Sequence, residues 1–265
     1  MKNLQTEYFY QNTPDKNKTA PFLDLEKSEI DAIMESAVKT SDRWRRMKKE
    51  GKSEKVIRAS FTKKREMNVF DWKSETREKD TILTPMDSIR YYKSFLRTAM
   101  MSMEPQTGHV KAWVGGVDYK HFQYDNVIQG GHQAGSTFKP FVYAAAIDQL
   151  GLSPCDEESD TRYCVEADAH GNPEPWCPKN ATDKYSGKSY ILKNALANSV
   201  NTVTARLIDR VGPRAVVSIV KNLGLTREIP EVPSIALGTA DVNVYEMVGA
   251  YGAFVNQGVY VKPVM

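Results

Sequence analysis

An α+β fold is the class this sequence predicts: an antiparallel sheet with packed helices, preceded by a charged, mostly helical segment. Three observations lead there. Residues 1–90 hold 36 charged side chains against 33 in residues 91–265, so the front of the chain is far more polar than the rest. Residues 98–116 alternate apolar and polar side chains around a turn containing Pro and Gly, as a hairpin does. From residue 136 onward the apolar period lengthens to that of helices, each run closed by Gly, Asn or Pro.

Taken in order, residues 28–50 predict a helix with Ser28 as N-cap, Asp31 in the first turn, Ile30, Ile33, Met34 and Val38 on one side, and Gly51 as its stop. A second start follows at Ser53-Glu54-Lys55-Val56-Ile57. Phe61, Val69, Phe70 and Trp72 stand among Lys, Arg and Glu in loose alternation, which predicts short exposed strands rather than core. Pro85 opens a helical run to residue 97, in the first turn where its missing N–H costs nothing. After the hairpin and a loop comes a largely buried helix over residues 136–151, with Pro140 tolerated in its first turns. Residues 153–188 are polar and rich in Pro, Gly, Asp and Cys, and read as a long excursion. Helices are predicted again at 189–197, 201–211, 213–223 and 241–256, and residues 259–263 begin a last strand.

A net charge of +3 with mixed signs gives no nucleic-acid footprint, and the basic run Arg43-Trp44-Arg45-Arg46-Met47-Lys48-Lys49 reads as a solvated helix face. No stretch approaches the roughly 18 apolar residues of a membrane span, and the N-terminus lacks a signal-peptide apolar region. Cys155, Cys164 and Cys177 lie close together without the short chelating turns of a zinc site. No metal or cofactor is expected; one disulfide among the three is compatible with an oxidising compartment, with the pair left open. Asn17-Lys18-Thr19 and Asn180-Ala181-Thr182 match a glycosylation acceptor by pattern alone and are assigned nothing.

Ser136-Thr137-Phe138-Lys139 places a hydroxyl and an amine on one helix face, so that an unprotonated Lys139 can take the proton of Ser136. The same spacing recurs at Ser60 to Lys63 and Ser218 to Lys221. Context separates the three. Only Ser136 follows a glycine at a helix N-terminus, among apolar residues that would bury the amine and lower its pKa from about 10.4. A helix start also aims N–H groups at a developing oxyanion. The purely structural reading is an N-cap serine and a snorkelling lysine. Asn198-Ser199-Val200-Asn201 sets a hydroxyl and a carboxamide on a turn between two helices, suited to holding a peptide and passing a proton, or to capping both helices.

Gly135-Ser136-Thr137-Phe138-Lys139-Pro140-Phe141 and Ala195-Leu196-Ala197-Asn198-Ser199-Val200-Asn201-Thr202 resemble the first two active-site motifs of the class A, bifunctional penicillin-binding proteins. The resemblance runs from about residue 84 to the C-terminus, taking in Thr107-Gly108-His109-Val110-Lys111-Ala112-Trp113-Val114-Gly115-Gly116, Ala236-Leu237-Gly238-Thr239 and Gly249-Ala250-Tyr251. It implies a β-lactamase/transpeptidase-like fold, with residues 1–84 as a charged interdomain segment and 85–265 as a transpeptidase domain.

The activity implied is peptidoglycan D,D-transpeptidation. Ser136 would attack a stem peptide, Lys139 would act as base, and Ser199 and Asn201 would orient the substrate and assist proton transfer. The Ser136 N–H would supply half of an oxyanion hole, with Gly135 beside it in the substrate site. The implied partners are stem peptides, lipid-linked glycan strands, β-lactam antibiotics and proteins of the cell-wall machinery, at the extracytoplasmic face of the bacterial inner membrane. No Lys-Thr-Gly occurs in the 265 residues, so the third motif of the family is missing. The expectation is an incomplete sheet, a truncated chain, and transpeptidation weakened by about 10²- to 10³-fold for one lost oxyanion donor. A serine β-lactamase-type hydrolase and a non-catalytic scaffold of the same fold are the competing expectations.

Overall fold

In a computed structural model that describes Phe22 and residues 25–265, the front of the chain forms α1 (Lys27–Thr40), α2 (Asp42–Lys49), α3 (Glu54–Ser60), an antiparallel hairpin of β1 (Arg65–Phe70) and β2 (Glu78–Leu83), and α4 (Pro85–Lys93). Residues 1–21, 23 and 24 of the predicted charged segment lie outside the described residues. Together with Asp118–Phe122 these elements make one unit, and Thr98–Val117 with Gln123–Met265 make a second.

Where a helix over 28–50 was predicted, the chain breaks at Ser41. Its backbone is extended, and its hydroxyl accepts from the Trp44 N–H at 3.3 Å and donates to the Val38 carbonyl at 2.7 Å. Serine competes with the helix for its own backbone groups, so one residue ends α1 and starts α2. Glu26, rather than Ser28, caps α1, in a reciprocal pair with Glu29. The break turns Trp44 inward, where it is buried with Val38, Ile57 and Phe61. Ser41→Ala is expected to lower the urea-unfolding free energy of this unit by about 1 kcal/mol, the ordinary value of an N-cap.

The prediction that Phe61, Val69 and Phe70 are exposed is overturned, since all three are at most 1% exposed. Phe70 meets Trp72, Phe95 and Phe122 edge-on, with ring centroids 4.9–5.3 Å apart. Phe95 and Phe122 are far from Phe70 in sequence, so local alternation carries no trace of the cluster.

The second unit opens with the predicted hairpin, β3 (Met100–Met103) and β4 (Val110–Val114). It continues with β5 (His132–Gln133), a 3₁₀ turn Gly135–Phe138 running into α5 (Lys139–Leu150), β6 (Glu157–Ser159), β7 (Ser189–Ile191), α6 (Leu192–Ala197), α7 (Asn201–Val211), α8 (Pro213–Asn222), β8 (Asp241–Val242) and α9 (Val244–Val255). The strands pair antiparallel as β3–β4, β5–β8 and β6–β7, and α5 packs on α7 and α8. The fold is α+β, with its core where Phe138, Phe141, Val142, Leu207, Ile208 and Ile235 are 0% exposed.

Two local predictions need correction. The helix expected from residue 189 begins only at Leu192, because residues 189–191 form β7 against β6, a long-range pairing that periodicity cannot register. Residues 259–263 form no regular strand; the chain meets the hairpin through the pair His109 and Val264, with Val110 donating to the Val264 carbonyl at 2.8 Å. In the excursion Cys164 and Cys177 are joined by a disulfide, and Cys155 is free and exposed.

Candidate active site

The helical run that carries Ser136 starts on a clamp. Ala134 and Gly135 donate to the carbonyls of Ala240 and Gly238 at 3.1 and 2.9 Å. The Thr137 hydroxyl closes the turn onto the Ala134 carbonyl at 2.6 Å, and the Tyr251 hydroxyl, from α9, donates to the Thr137 carbonyl at 2.5 Å. Ser136 is thereby presented to solvent while Phe138 and Lys139, two and three residues on, are buried. Its N–H lies in the first turn, where helical amides lack an intrahelical acceptor.

Lys139 is 1% exposed. Its ammonium donates to the Ser199 carbonyl at 2.7 Å, the Ser199 hydroxyl at 2.9 Å and the Asn201 Oδ1 at 2.6 Å. Burial pulls its pKa from 10.5 down to about 8, so on the order of a tenth of the molecules hold a neutral amine at pH 7. Among the Ser-x-x-Lys pairs of the chain, this is the one with a buried amine: Lys39, Lys63 and Lys221 are exposed, and Ser60 donates instead to the Ile57 carbonyl at 2.6 Å.

Ser199 and Asn201 come from the turn between α6 and α7. Ser199 adopts φ +54°, a left-handed conformation uncommon for a residue with a side chain, and this brings both its carbonyl and its hydroxyl to one amine. Asn198 does terminate α6, but Val200 rather than Ser199 is the N-cap of α7, and it offers no side-chain cap. Ser136, Ser199 and Asn201 line one cleft of about 470 Å³. Lys139 is thus joined to Ser199 and Asn201 by hydrogen bonds and to Ser136 by the helical turn between them; among the described residues no hydrogen bond ends on the Ser136 hydroxyl.

The far wall of the cleft was not foreseen. Asp160, 3% exposed, accepts from Thr202 Oγ1 at 2.7 Å, Asn180 Nδ2 at 2.7 Å and the Ser186 N–H at 2.8 Å. Burial alone would raise its pKa; the hydrogen bonds from Thr202, Ser186 and Asn180 outweigh that and hold it below the usual carboxylate value. Asn180 in turn accepts the Asn201 N–H at 2.9 Å. The sequence signal was a match to a glycosylation triplet, which says nothing about these bonds. No group of three His, Cys, Asp or Glu among the described residues could hold a metal ion.

Residues 98–265 match the family described as penicillin binding protein transpeptidase domain, and residues 17–96 match the penicillin-binding protein middle domain. The chain is 35% identical over 168 residues to a penicillin-binding protein 1A of Pseudomonas aeruginosa, an alignment covering 63% of this chain and 20% of that protein. It is 34% identical over 170 residues to a penicillin-binding protein 1A of Aquifex aeolicus, covering 63% and 22%. The crystal structure of penicillin-binding protein 1A from Haemophilus influenzae is similar with a TM-score of 0.59 at 30% identity, over 63% of this chain and 24% of that one. The chain spans about a fifth of the length of the curated relatives it matches.

Proposed function

Because the chain belongs to the penicillin-binding protein transpeptidase family, we propose that it carries the acyl-transfer residues of a peptidoglycan D,D-transpeptidase that works through a serine acyl-enzyme. The observation that carries this reading is the buried Lys139 amine, tied to Ser199 and Asn201 and set one helical turn from an exposed serine in the same cleft. Neutral Lys139 takes the proton as Ser136 Oγ bonds to the penultimate D-Ala carbonyl carbon, and the oxyanion forms toward the Ser136 N–H. The C–N bond then breaks, and the terminal D-Ala leaves with the proton that Lys139 returns through the Ser199 hydroxyl. An amine of a neighbouring strand attacks the acyl-enzyme, loses its proton to Lys139 and forms the cross-link, and Ser136 recovers its hydrogen. A β-lactam enters by the same first step, but its opened ring keeps the amine attached.

In this reading the segment before residue 98, α4 included, is an interdomain segment, and residues 98–265 are the domain that meets stem peptides and lipid-linked glycan strands outside the inner membrane. No helix among the described residues is long and apolar enough to cross a membrane.

Incubating the chain with a fluorescent penicillin and mapping the peptides by mass spectrometry tests the mechanism. The expected result is an acyl adduct on Ser136. An adduct on another residue, or none after prolonged incubation, overturns it.

A further inference from the structure

We propose that Asp160 and Asn180 are positioning residues for acyl transfer, holding Asn201 in the one orientation in which its side-chain oxygen meets Lys139. The proposal rests on the reading of Ser136 and Lys139 given above.

Asn201 opens α7, so its N–H has no acceptor within the helix, and the acceptor it uses is Asn180 Oδ1 at 2.9 Å. The orientation of the Asn180 amide is itself determined. Its NH₂ donates to Asp160 Oδ1 at 2.7 Å and to the Lys184 carbonyl at 3.0 Å, and a primary amide whose two donors are committed must turn its carbonyl the other way. Asp160 supplies the fixed point. It sits within the fold, and it grips α7 a second time through Thr202, the residue after Asn201, at 2.7 Å.

The Asn201 side chain is set by the same segment. Its Nδ2 donates to the Lys179 carbonyl at 2.7 Å, which leaves Oδ1 for the Lys139 ammonium at 2.6 Å. A flipped Asn201 would present NH₂ to NH₃⁺, replacing an attraction by donor facing donor. The backbone N–H and the side-chain amide of Asn201 are therefore held by consecutive residues of the excursion, Lys179 and Asn180. The excursion thereby acts on the proton-transfer group through Asn201: it decides whether Lys139 meets the Asn201 side-chain oxygen as one of its acceptors.

Three readouts on the whole chain test this. In the native chain the Asn201 amide should be protected from hydrogen exchange, unlike other first-turn amides. In Asn180→Ala that protection should vanish. The Lys139 side-chain titration, followed by ¹³C NMR and assigned by its loss in Lys139→Arg, should move by about a unit, and Ser136 acylation should slow by about ten- to a hundredfold. A role in stability alone would lower the melting temperature and leave the Lys139 titration unchanged. An Asn201 amide that exchanges freely in the native chain overturns the proposal even if Asn180→Ala does not fold, and so does an unchanged Lys139 titration in a folded Asn180→Ala. Failure of the native chain to acylate, with amide protection and titration shift as expected, overturns the transpeptidase reading and leaves the positioning role standing.

Discussion

Lys139→Met is expected to slow acylation of Ser136 by about 10²- to 10⁴-fold, the usual contribution of a positioned base, in a chain that still folds. Methionine matches the stem of lysine and suits a site that is 1% exposed, so the loss falls on the amine. The Ser199 carbonyl and Asn201 Oδ1 lose their donor, a penalty offset by no longer burying an ammonium. The pH dependence has a definite sign. The base works neutral, so the native acylation rate should rise with pH through a midpoint near 8.

Stability should respond in the same window. The folded pKa lies below the unfolded one, so between about 8 and 10.5 the unfolded chain holds a proton that the folded chain has released. Stability therefore rises with pH across that interval, and this part of the rise should be missing in Lys139→Met. Stopped-flow acylation and urea unfolding over pH 6 to 10 read both effects, and acylation of the variant within about tenfold of native would rule Lys139 out as the base.

Gly238→Ala should be the most damaging of the glycine substitutions near the site. A Cβ at residue 238 would stand 1.9 Å from the Gly135 carbonyl oxygen and 2.4 Å from the Gly135 nitrogen. Both are backbone atoms of the turn that precedes Ser136, and φ +72° at Gly238 disfavours any side chain there. To admit the methyl group the turn must shift, breaking the 2.9 Å hydrogen bond from Gly135 to the Gly238 carbonyl. We expect a loss of about 3 kcal/mol from overpacking and backbone strain together, and about 10²-fold slower acylation from a misplaced nucleophile. Gly151→Ala is the control: its φ is +64° but nothing lies within 4 Å, so it should cost about 1 kcal/mol and leave acylation unchanged. Equal behaviour of the two variants in urea unfolding and acylation would show that the close approach to Gly135 is immaterial.

Much of the molecule is legible in its sequence. The hairpin of β3 and β4 and the helices α5, α7, α8 and α9 follow from periodicity and stop signals, because each is specified by neighbours in the chain. Ser136 and Lys139 were legible for the same reason, being one helical turn apart. Ser199 and Asn201 were found by spacing and by resemblance. Their shared contact with Lys139 spans about sixty residues of chain, and no local pattern encodes it.

Other features were decided only by tertiary structure. Phe70 looks like a residue of an exposed strand until Phe95 and Phe122 arrive from distant segments and bury it. Residues 189–191 look helical until β6 supplies a strand to pair with. Asn180 looks like one more polar residue in a loop until Asp160 takes its NH₂ and turns its carbonyl onto α7. The sequence by itself determined the β3–β4 hairpin, the helices α5, α7, α8 and α9, and the one-turn spacing of Ser136 and Lys139, since those depend on spacings of a few residues. The acceptors that meet the Lys139 amine, and the segment that holds them, were decided by the folded chain, because hydrogen bonds between remote segments exist only once hydrophobic packing has brought those segments together.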